Sequence, residues 1–463
     1  MAKGKRILIF LALLILFLVA APAAVMYCLG WRLDLKNGRI TEPGMFYFKA
    51  SPKTADVYLD GKLQKRTDIF FGSILIENLE PKEYEIEIKK DGYHGWKKKL
   101  AIQKREVTEA KNIILFPLNP NFSLISESAE YIYPAPDGRK IVIKEYDEVK
   151  KKWSLKILDT AKNSKTNLLS EEDLGKIKHE FSNISFSEDS ERILLETKYQ
   201  AKNRYFIVSL ADGKFTEADF GNNVLDKIIL HPSEKTKLFV AFSEKKTKNS
   251  VPEKNIYEVD LLKKITSGPL AKNISDFTIS DRDAYWIDEE GFLLKSGLDF
   301  KNPRRMNVQK TVQKNLTLKT EGSEVFMESE QSLYIFNKKT LSFEKLLDGI
   351  KGYRLSPNSK QLLYFNDNEL WILFLEKKHE QPHKEAGDKV LVSSEIIGDA
   401  FWHINNYIAY TSQNKVKISE IDDRGEFNSI EFFEMENPQM LYSQNNLYIL
   451  SKGSIYSCQD LKN

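Results

Sequence analysis

A three-strand pattern that recurs eight times from about Tyr131 to the C-terminus constrains this 463-residue chain more than any other feature. Its clearest copy is residues 352–377, GYRLSPNSKQLLYFNDNELWILFLEK. A short strand leads into a turn at 356–359, where Pro357 fixes φ and the Ser and Asn side chains bond the local backbone. The next two strands, 362–365 and 370–375, are almost continuously apolar. Such runs indicate that both faces of these strands are covered.

The other copies begin with the same strand–turn–strand sequence. They are IYPAPDGRKIVI (132–143), SFSEDSERILLE (185–196), ILHPSEKTKLFVA (229–241), TISDRDAYWI (278–287), LKTEGSEVFM (318–327), AFWHINNYIAYT (400–411) and MLYSQNNLYIL (440–450). A period of about 44 residues is typical of one four-stranded propeller blade per repeat. We therefore predict a mainly β protein whose residues 122–463 form a seven- or eight-bladed β-propeller, with eight blades favoured.

The end of the repeat array predicts how the ring closes. The last third strand, 454–459, leaves only four residues before the C-terminus, too few for an outer strand. The extended segment 122–128 precedes the first copy and could supply that strand. Because ring folds suppress open edges, we expect this segment to pair with the last blade.

The turns of the repeats carry a resemblance to known propellers. Pro136-Asp137-Gly138 follows a short strand, and Ser187-Glu188-Asp189 and Ser356-Pro357-Asn358 stand at equivalent positions. This pattern resembles the SPDG-type repeat of TolB-like and WD-repeat-like β-propellers and implies the same fold.

An uncharged stretch at 7–31 follows Lys3, Lys5 and Arg6. It exceeds the roughly 20 residues that a helix needs to cross a bilayer. The preceding cations predict a cytoplasmic N-terminus, with the bulk of the chain outside the cytoplasm. We expect residues 1–31 to form a cytoplasmic tip and a transmembrane helix in the cell membrane, with the lipid bilayer as the partner of residues 7–31. Residues 32–44 are a spacer.

Two alternatives for the N-terminus export the same domains. Ala21-Pro22-Ala23-Ala24 offers small residues for a cleaved signal peptide, although the apolar run continues beyond them. A lipoprotein site at Cys28 is disfavoured, because Val25-Met26-Tyr27 lacks small residues.

We predict that residues 45–118 form a second, smaller β-domain that is sandwich-like. Segment 51–63 is a strand, an Asp60-Gly61 turn and a strand, and segment 79–102 alternates through two further turns before a returning strand. The domain resembles the PEGA domain of exported proteins and implies an envelope role without catalytic residues. The matching residues are Pro52, Ala55, Val57, Tyr58, Asp60, Gly61, Leu79, Pro81, Tyr84, Gly92, Tyr93 and Trp96.

Charge and cysteine usage exclude some classes of function. The net charge is +3, and the three cations before the apolar stretch account for all of it, so the remainder is nearly neutral. A neutral exported part has no general attraction for nucleic acid. Two cysteines, Cys28 and Cys458, provide no disulfide framework.

One string matches a metalloprotease signature. His379-Glu380-Gln381-Pro382-His383 satisfies H-E-x-x-H, whose chemistry requires both histidines on one uninterrupted helix. Pro382 breaks such a helix, so we interpret the string as a solvated loop. The remaining histidines, His94, His179, His231 and His403, show no ligand spacing.

Two other groups of residues have ordinary interpretations. The basic stretch 89–105 could contact anionic lipid or an acidic polymer, but a solvated strand face is the better reading. The strand aromatics, Trp153, Tyr285, Trp286, Tyr364, Trp371, Trp402 and Tyr410, are expected in the core.

These observations predict a membrane-anchored binding or scaffolding protein of the cell envelope, favour a non-catalytic role over an enzyme, and indicate an envelope protein or polymer as partner. No catalytic residue, metal ligand or cofactor is assigned, and the ligand-binding residues are unknown. A propeller hydrolase or lyase acting on glycan or peptide is the alternative, and two close carboxylates in a central cleft would favour it. A sensor is a third possibility.

Overall fold

The computed structural model describes residues 3–28, 31–34, 39–221, 223–244, 252–311, 315–443 and 446–458. Helix α1 (Lys3–Cys28) contains the apolar run Ile7–Tyr27, which is long enough to cross a bilayer or to act as a signal sequence. Strands β1 (Arg32–Asp34) and β2 (Arg39–Thr41) then pair as a hairpin within the predicted spacer. Residues 29–30 of the predicted span and 35–38 of the spacer lie outside the described residues.

Seven strands between Gly44 and Ile114 form a compact sandwich, which we name the β-unit. One sheet has the order β6-β3-β9 and the other β5-β4-β7-β8, and the two share one core. The alternating pattern predicted this arrangement, since every second residue of β7 and β8 is buried. The strands are β3 (Gly44–Ser51), β4 (Asp56–Leu59), β5 (Lys62–Arg66), β6 (Ser73–Leu79), β7 (Glu83–Lys89), β8 (Trp96–Ala101) and β9 (Val107–Ile114).

The described residues beyond 121 form eight four-stranded antiparallel sheets, which confirms the propeller. Blade 1 is β11 (Ala129–Pro134), β12 (Lys140–Asp147), β13 (Lys152–Asp159) and β14 (Ser164–Ser170). Blade 2 is β15 (Glu180–Phe186), β16 (Arg192–Tyr199), β17 (Lys202–Ser209) and β18 (Phe215–Ala218). Blade 3 is β19 (Val224–Leu230), β20 (Lys237–Glu244), β21 (Glu253–Asp260) and β22 (Ile265–Thr266). Blade 4 is β23 (Ile274–Ile279), β24 (Asp283–Asp288), β25 (Leu293–Gly297) and β26 (Arg304–Arg305).

The second half of the ring repeats the same order. Blade 5 is β27 (Thr317–Glu321), β28 (Glu324–Ser329), β29 (Ser332–Asn337) and β30 (Ser342–Leu347). Blade 6 is β31 (Gly352–Leu355), β32 (Gln361–Phe365), β33 (Leu370–Phe374) and β34 (Lys389–Ser393). Blade 7 is β35 (Ala400–Ile404), β36 (Tyr407–Ser412), β37 (Lys415–Glu420) and β38 (Ser429–Glu434). Blade 8 is β39 (Gln439–Ser443), β40 (Asn446–Ser451), β41 (Ser454–Cys458) and β10 (Phe122–Ser126).

Each pair of neighbouring blades shares its own apolar cluster, which explains the continuous apolar runs. Successive side chains of a strand point to opposite faces. In β32, Leu362 and Tyr364 pack toward blade 5, whereas Leu363 and Phe365 pack toward blade 7. The second strands therefore need apolar residues at every position, because both faces are buried.

The ring closes as the sequence predicts. Strand β10 pairs antiparallel with β41, placing Phe122 opposite Cys458. Blades 8 and 1 also share a cluster that contains Ile141 and Tyr448. The Ser443 hydroxyl donates a hydrogen bond to the carbonyl of Gly138 across the same junction. Residues from both ends of the array thus complete one blade and seal the interface beside it.

The β-unit packs against blade 7. Phe116 lies against the rings of His403, Tyr407 and Phe432, with centroids 5.4 to 5.9 Å apart. The Ile114 amide donates to the Tyr407 hydroxyl at 3.0 Å. These contacts join the two parts through aromatic and aliphatic side chains.

A buried lysine lies at the centre of this interface and corrects the interpretation of the basic stretch. Lys97 and Lys99 are exposed on β8 as expected, but the side chain of Lys98 is fully buried. Its ammonium group binds the Glu420 carboxylate and the Asp422 carbonyl, the latter at 2.5 Å. Strand alternation explains the difference, since Lys98 shares its face with the buried Trp96.

Candidate functional site

The candidate site is a cavity of about 990 Å³ between blades 4 and 5, at the end of the ring where the first-to-second strand turns lie. We call it the turn-face cleft. Its volume falls at the upper end of the range of small-molecule sites. Turns of blades 1, 2, 4 and 5 form its mouth, and the outer strands of blades 4 and 5 form its walls. Its charged lining residues are Glu188, Asp281, Arg282, Asp283, Lys295, Arg304, Glu321 and Lys338.

Tight turns position the residues of the mouth. In blade 4, the Ser280 amide donates to the Asp283 carbonyl at 2.8 Å, so Asp281 and Arg282 project from the turn into solvent. In blade 5, Gly322 occupies the turn at a φ of +57°, which a residue with a side chain adopts only with strain. The same turn recurs in each blade, but its side chains differ from blade to blade, and these side chains lie at the mouth of the cleft.

One wall of the cleft carries two cations side by side. Lys295 and Arg304 are directly opposite each other on β25 and β26. Lys295 pairs with Asp283 at 2.7 Å and lies over the ring of Tyr285. Arg304 is exposed and forms no ion pair among the residues that the structure describes. Because Asp283 already offsets the charge of Lys295, Arg304 is the cation of this wall that a negatively charged group in the cleft would meet.

Carboxyl groups face this wall from the mouth. Burial raises the pKa of Glu188, and the nearby charge of Asp281 raises it further. Burial likewise raises the pKa of Glu321, although the Leu355 amide, which donates to it at 2.8 Å, and Arg354 oppose the rise. The pKa of each group therefore lies above the ordinary glutamate value of 4.5, although Glu188 retains contact with solvent. In the protonated form each can donate a hydrogen bond to a ligand.

The hydroxyl groups of the cleft are used inside the fold. Ser280 donates to the Asp283 carbonyl at 3.2 Å, Thr320 to the Ile279 carbonyl at 3.1 Å, and Ser323 to the Glu324 carboxylate at 2.9 Å. None of these three bonds involves a histidine, the usual base that activates a hydroxyl nucleophile. The cleft thus offers charge, acid groups and aromatic surface.

A second cavity of about 510 Å³ opens at the other end of the ring, where Arg354 and Asp399 meet at 3.4 Å. The guanidinium lies flat on Phe401, with Cζ 3.8 Å from the ring centroid. Burial lowers the pKa of Arg354 and raises that of Asp399, and the opposite charge of the partner works against each shift. The amides of Gln413 and Gln439 line the same cavity. This mouth is smaller and more polar than the turn-face cleft.

Between the two mouths, a buried ion pair ties three blades together. Lys227 binds Asp276 at 2.7 Å and the Leu318 carbonyl at 3.0 Å. Asp276 in turn accepts the Leu318 amide at 2.7 Å. Because both charged groups are satisfied within the fold, this pair is structural. The sequence did not predict Lys227 or Asp276, which lie on the first strands of blades 3 and 4 and which we call the channel residues. A charged residue in a strand that is otherwise apolar is the signal that could have identified them.

The string at 379–383 lies in the loop between β33 and β34, where His379 and His383 are exposed. The middle of this loop, which was predicted to be solvated, also packs against the β-unit. Gln381 accepts the Glu109 amide at 2.9 Å and donates to the Val107 carbonyl at 3.0 Å. The loop therefore joins the propeller to β9, and its middle is half-buried, which corrects the expectation of a wholly solvated loop.

The other histidines are built into the fold. His94 belongs to the β-unit and lies half-buried at its interface with the propeller, and burial lowers its pKa. His179, His231 and His403 are buried in blades 2, 3 and 7. His231 stands with Glu234 and Glu258 in a group whose ligand atoms lie within 4.8 Å of one another.

The ammonium group of Lys237 already bridges the two carboxylates of that group. It lies 2.7 Å from Glu234 and 3.0 Å from Glu258. The Nδ1 atom of His231 accepts the Glu234 amide at 3.0 Å. These contacts account for the cluster without a metal ion.

Comparisons with known proteins find similarity among solved structures alone. No family model and no curated protein matches the chain. Among solved structures, it is similar to the C-terminal WD40 domain of Sif2, with 8% identity and a TM-score of 0.44 over 73% of this chain and 98% of that one. It is also similar to the computationally designed Ika8 protein, with 11% identity and a TM-score of 0.43 over 73% and 98%.

A third similar structure is an oligogalacturonate lyase in complex with manganese, with 11% identity and a TM-score of 0.41 over 73% of this chain and 93% of that one. At such identities and scores, these likenesses say nothing beyond the propeller fold that the strand order already shows.

Proposed function

We propose that the protein is a membrane-anchored, extracytoplasmic binding or scaffolding protein of the cell envelope, and that it is not an enzyme. The observation that carries this proposal is the turn-face cleft. Its cations, protonatable carboxyl groups and aromatic rings offer contacts to a ligand, while its hydroxyl groups are engaged in the fold. A protein or polymer segment with negative charges is the ligand class that Lys295 and Arg304 favour.

Three features support the envelope location. Helix α1 is apolar over Ile7–Tyr27 and follows basic residues, which is the pattern of an uncleaved anchor with a cytoplasmic N-terminus. The β-unit resembles the PEGA domain, a module of exported proteins. The turns of the propeller resemble the TolB-like repeat. In this arrangement the β-unit holds the ring outside the bilayer in a fixed position.

The fixed position has a physical basis in the interface. Across this interface the buried Lys98 pairs with Glu420, and the Tyr407 hydroxyl accepts a backbone amide of the β-unit. Arg424 donates to the Glu109 carbonyl at 2.9 Å. A rigid support presents one face of the ring consistently to a partner, which lowers the entropic cost of binding.

The proposal is tested by affinity capture from envelope extracts with the full-length protein. We expect the wild type to retain an envelope protein or polymer, and Lys295→Glu with Arg304→Glu to lose it. Lys235→Glu with Lys263→Glu, two exposed lysines of blade 3, is the matched control. Failure of the wild type to retain any component would contradict the proposal.

A hydrolase or lyase acting on glycan or peptide is the second candidate. The observation that favours it is the influence of Asp281 on Glu188, because a carboxyl group with a raised pKa can act as a general acid. Product release from envelope glycan or peptide by the wild type, and its loss in Glu188→Gln, would support this candidate. Equal inactivity of both proteins would contradict it.

A further inference from the structure

The loop between β5 and β6 presents three large apolar side chains to solvent. Ile69, Phe70 and Phe71 are 66%, 77% and 72% exposed. We call these three residues the apolar tip. Because burying a large apolar side chain is favourable, leaving three of them in solvent forgoes that stabilisation. Contiguous exposed apolar residues on an otherwise well-packed domain are typical of an interaction site.

The apolar tip is held in one conformation by Asp68. The Asp68 carboxylate accepts the amides of Phe70 at 2.8 Å and Phe71 at 2.6 Å, and the amide and hydroxyl of Ser73 at 2.7 Å each. These bonds hold the pKa of Asp68 well below its ordinary value of 3.8. Gly72 closes the loop at a φ of +68°, where a Cβ atom would lie 2.4 Å from the Ala50 carbonyl oxygen. Binding through the tip therefore requires little ordering of the loop.

The position of the tip leaves it free for a partner. Strands β8 and β9 form one side of the β-unit and contact the propeller, whereas β5 and β6 are the edge strands of the opposite side. The tip also lies beside Ala50, near the end of β3. The helix junction lies at the other end of β3, where Trp31 bonds Glu42 at 3.0 Å. Eight residues of strand separate the two ends by about 25 Å.

The surface around the tip is basic. Lys49 is the strand partner of Ser73, the side chain of Lys53 lies against Gly72, and Lys65 is on the neighbouring edge strand. None of these three lysines forms an ion pair with another described residue, whereas Arg66 beside them pairs with Asp56 at 2.5 Å. A partner for this surface must therefore supply negative charge around an apolar contact.

Charge and position select among the possible occupants. A second copy docked about a two-fold axis would bring the same lysines together, which is unfavourable. The bilayer that surrounds α1 lies at the opposite end of β3. A protein with an apolar pocket bordered by aspartate or glutamate meets both conditions.

We propose that the apolar tip is the docking point for such a protein, with Phe70 and Phe71 in its pocket and Lys49, Lys53 and Lys65 facing its carboxylates. The inference rests on the proposed scaffolding function and gives the chain a second contact site besides the turn-face cleft. Two sites on one rigid body would let the protein hold two envelope components together.

The test is photocrosslinking in membranes that contain the full-length chain. p-Benzoylphenylalanine replaces Phe70 in one variant and Val149 in the control, because Val149 is 93% exposed and lies on blade 1. We expect one defined protein adduct from position 70 and none from position 149. Lys49→Glu, Lys53→Glu and Lys65→Glu together should reduce this adduct at least about tenfold, since like charges across an interface cost several kcal/mol.

Four results would overturn the inference: no protein adduct, an adduct of twice the mass of the chain, an adduct with lipid alone, or a protein adduct that survives charge reversal. Unchanged thermal unfolding of the variants shows that the β-unit is intact. Capture through the turn-face cleft is measured in the same membranes. If capture persists without an adduct at position 70, the docking inference fails and the proposed function stands.

Discussion

At the scale of single residues, the most consequential groups are buried charges that connect separate parts of the chain. Lys98 joins β8 to blade 7, and Lys227 joins blades 3, 4 and 5. Burial raises the pKa of Glu420 even with Lys98 beside it, whereas the bonds from Arg424 and the charge of Lys98 outweigh burial and lower the pKa of Asp422. Such groups contribute specificity of position, because each is satisfied only when both parts are in place.

Removal of Lys98 tests this role. Lys98→Met leaves the buried Glu420 carboxyl without its cationic partner, so that it must stay charged without compensation or take up a proton, and we expect a loss of about 3–5 kcal/mol in the free energy of unfolding. Lys97→Met, a neighbour exposed to solvent, should change it by less than about 0.5 kcal/mol. Denaturant titration in detergent, followed by tryptophan fluorescence, measures both. Similar midpoints for the two variants would show that the Lys98 pair contributes nothing.

The raised pKa of Glu321 predicts a pH dependence. The folded protein holds this proton to a higher pH than the unfolded chain, whose glutamate titrates near the ordinary 4.5. The resulting stabilisation is complete below about pH 4.5 and disappears as pH rises through the folded-state pKa. We expect wild type to lose stability relative to Glu321→Gln as the pH rises above about 4.5. A difference between the two proteins that does not change with this rise in pH would contradict the raised pKa.

At the scale of elements, strand alternation decides what could be predicted. The second strands were predictable because both of their faces are buried, as in β32, where all five residues are buried. On β8, the same alternation placed Lys98 inside, but three consecutive lysines read as a solvated run. The channel residues escaped prediction because their neighbours come from different blades, which no local pattern reveals.

The exposure of the apolar tip was also not predicted from the sequence. The sequence allowed no prediction for Ile69, Phe70 and Phe71, because apolar character alone is equally typical of core residues. Their exposure depends on Asp68 and Gly72, whose turn directs the intervening side chains outward. A sequence signal for such a tip does exist. It consists of three apolar residues that follow an Asp and precede a Gly-Ser pair, in a loop between two short strands.

Proteolysis measures how firmly Asp68 holds the tip. Chymotrypsin cleaves after exposed Phe when the local backbone can open. We expect slow cleavage after Phe70 and Phe71 in the wild type and faster cleavage in Asp68→Ala, because the carboxylate no longer binds the two amides. Asp56→Ala, which removes the partner of Arg66 only, is the control. Equal cleavage rates in all three proteins would show that the loop does not depend on Asp68.

At the scale of the whole molecule, the central feature is the closure of the ring by strand β10. A segment that precedes the first blade completes the last one, so the ring has no open edge and the β-unit is attached beside the closure. Blade number and closure followed from the count of repeats and from the missing last strand. The side of the ring that contacts the β-unit could not be predicted from the sequence, because it depends on contacts between residues more than 300 positions apart.

Closure can be measured directly, because Phe122 on β10 lies opposite the native Cys458 on β41. Opposite residues in an antiparallel pair have Cα atoms about 4.5–5.5 Å apart, a separation that a disulfide can bridge. In a Cys28→Ser background, we predict that Phe122→Cys forms a disulfide with Cys458 under mild oxidation and that Ser123→Cys, which points to the other face, does not. Absence of the Phe122→Cys crosslink in the folded protein would contradict the closed ring.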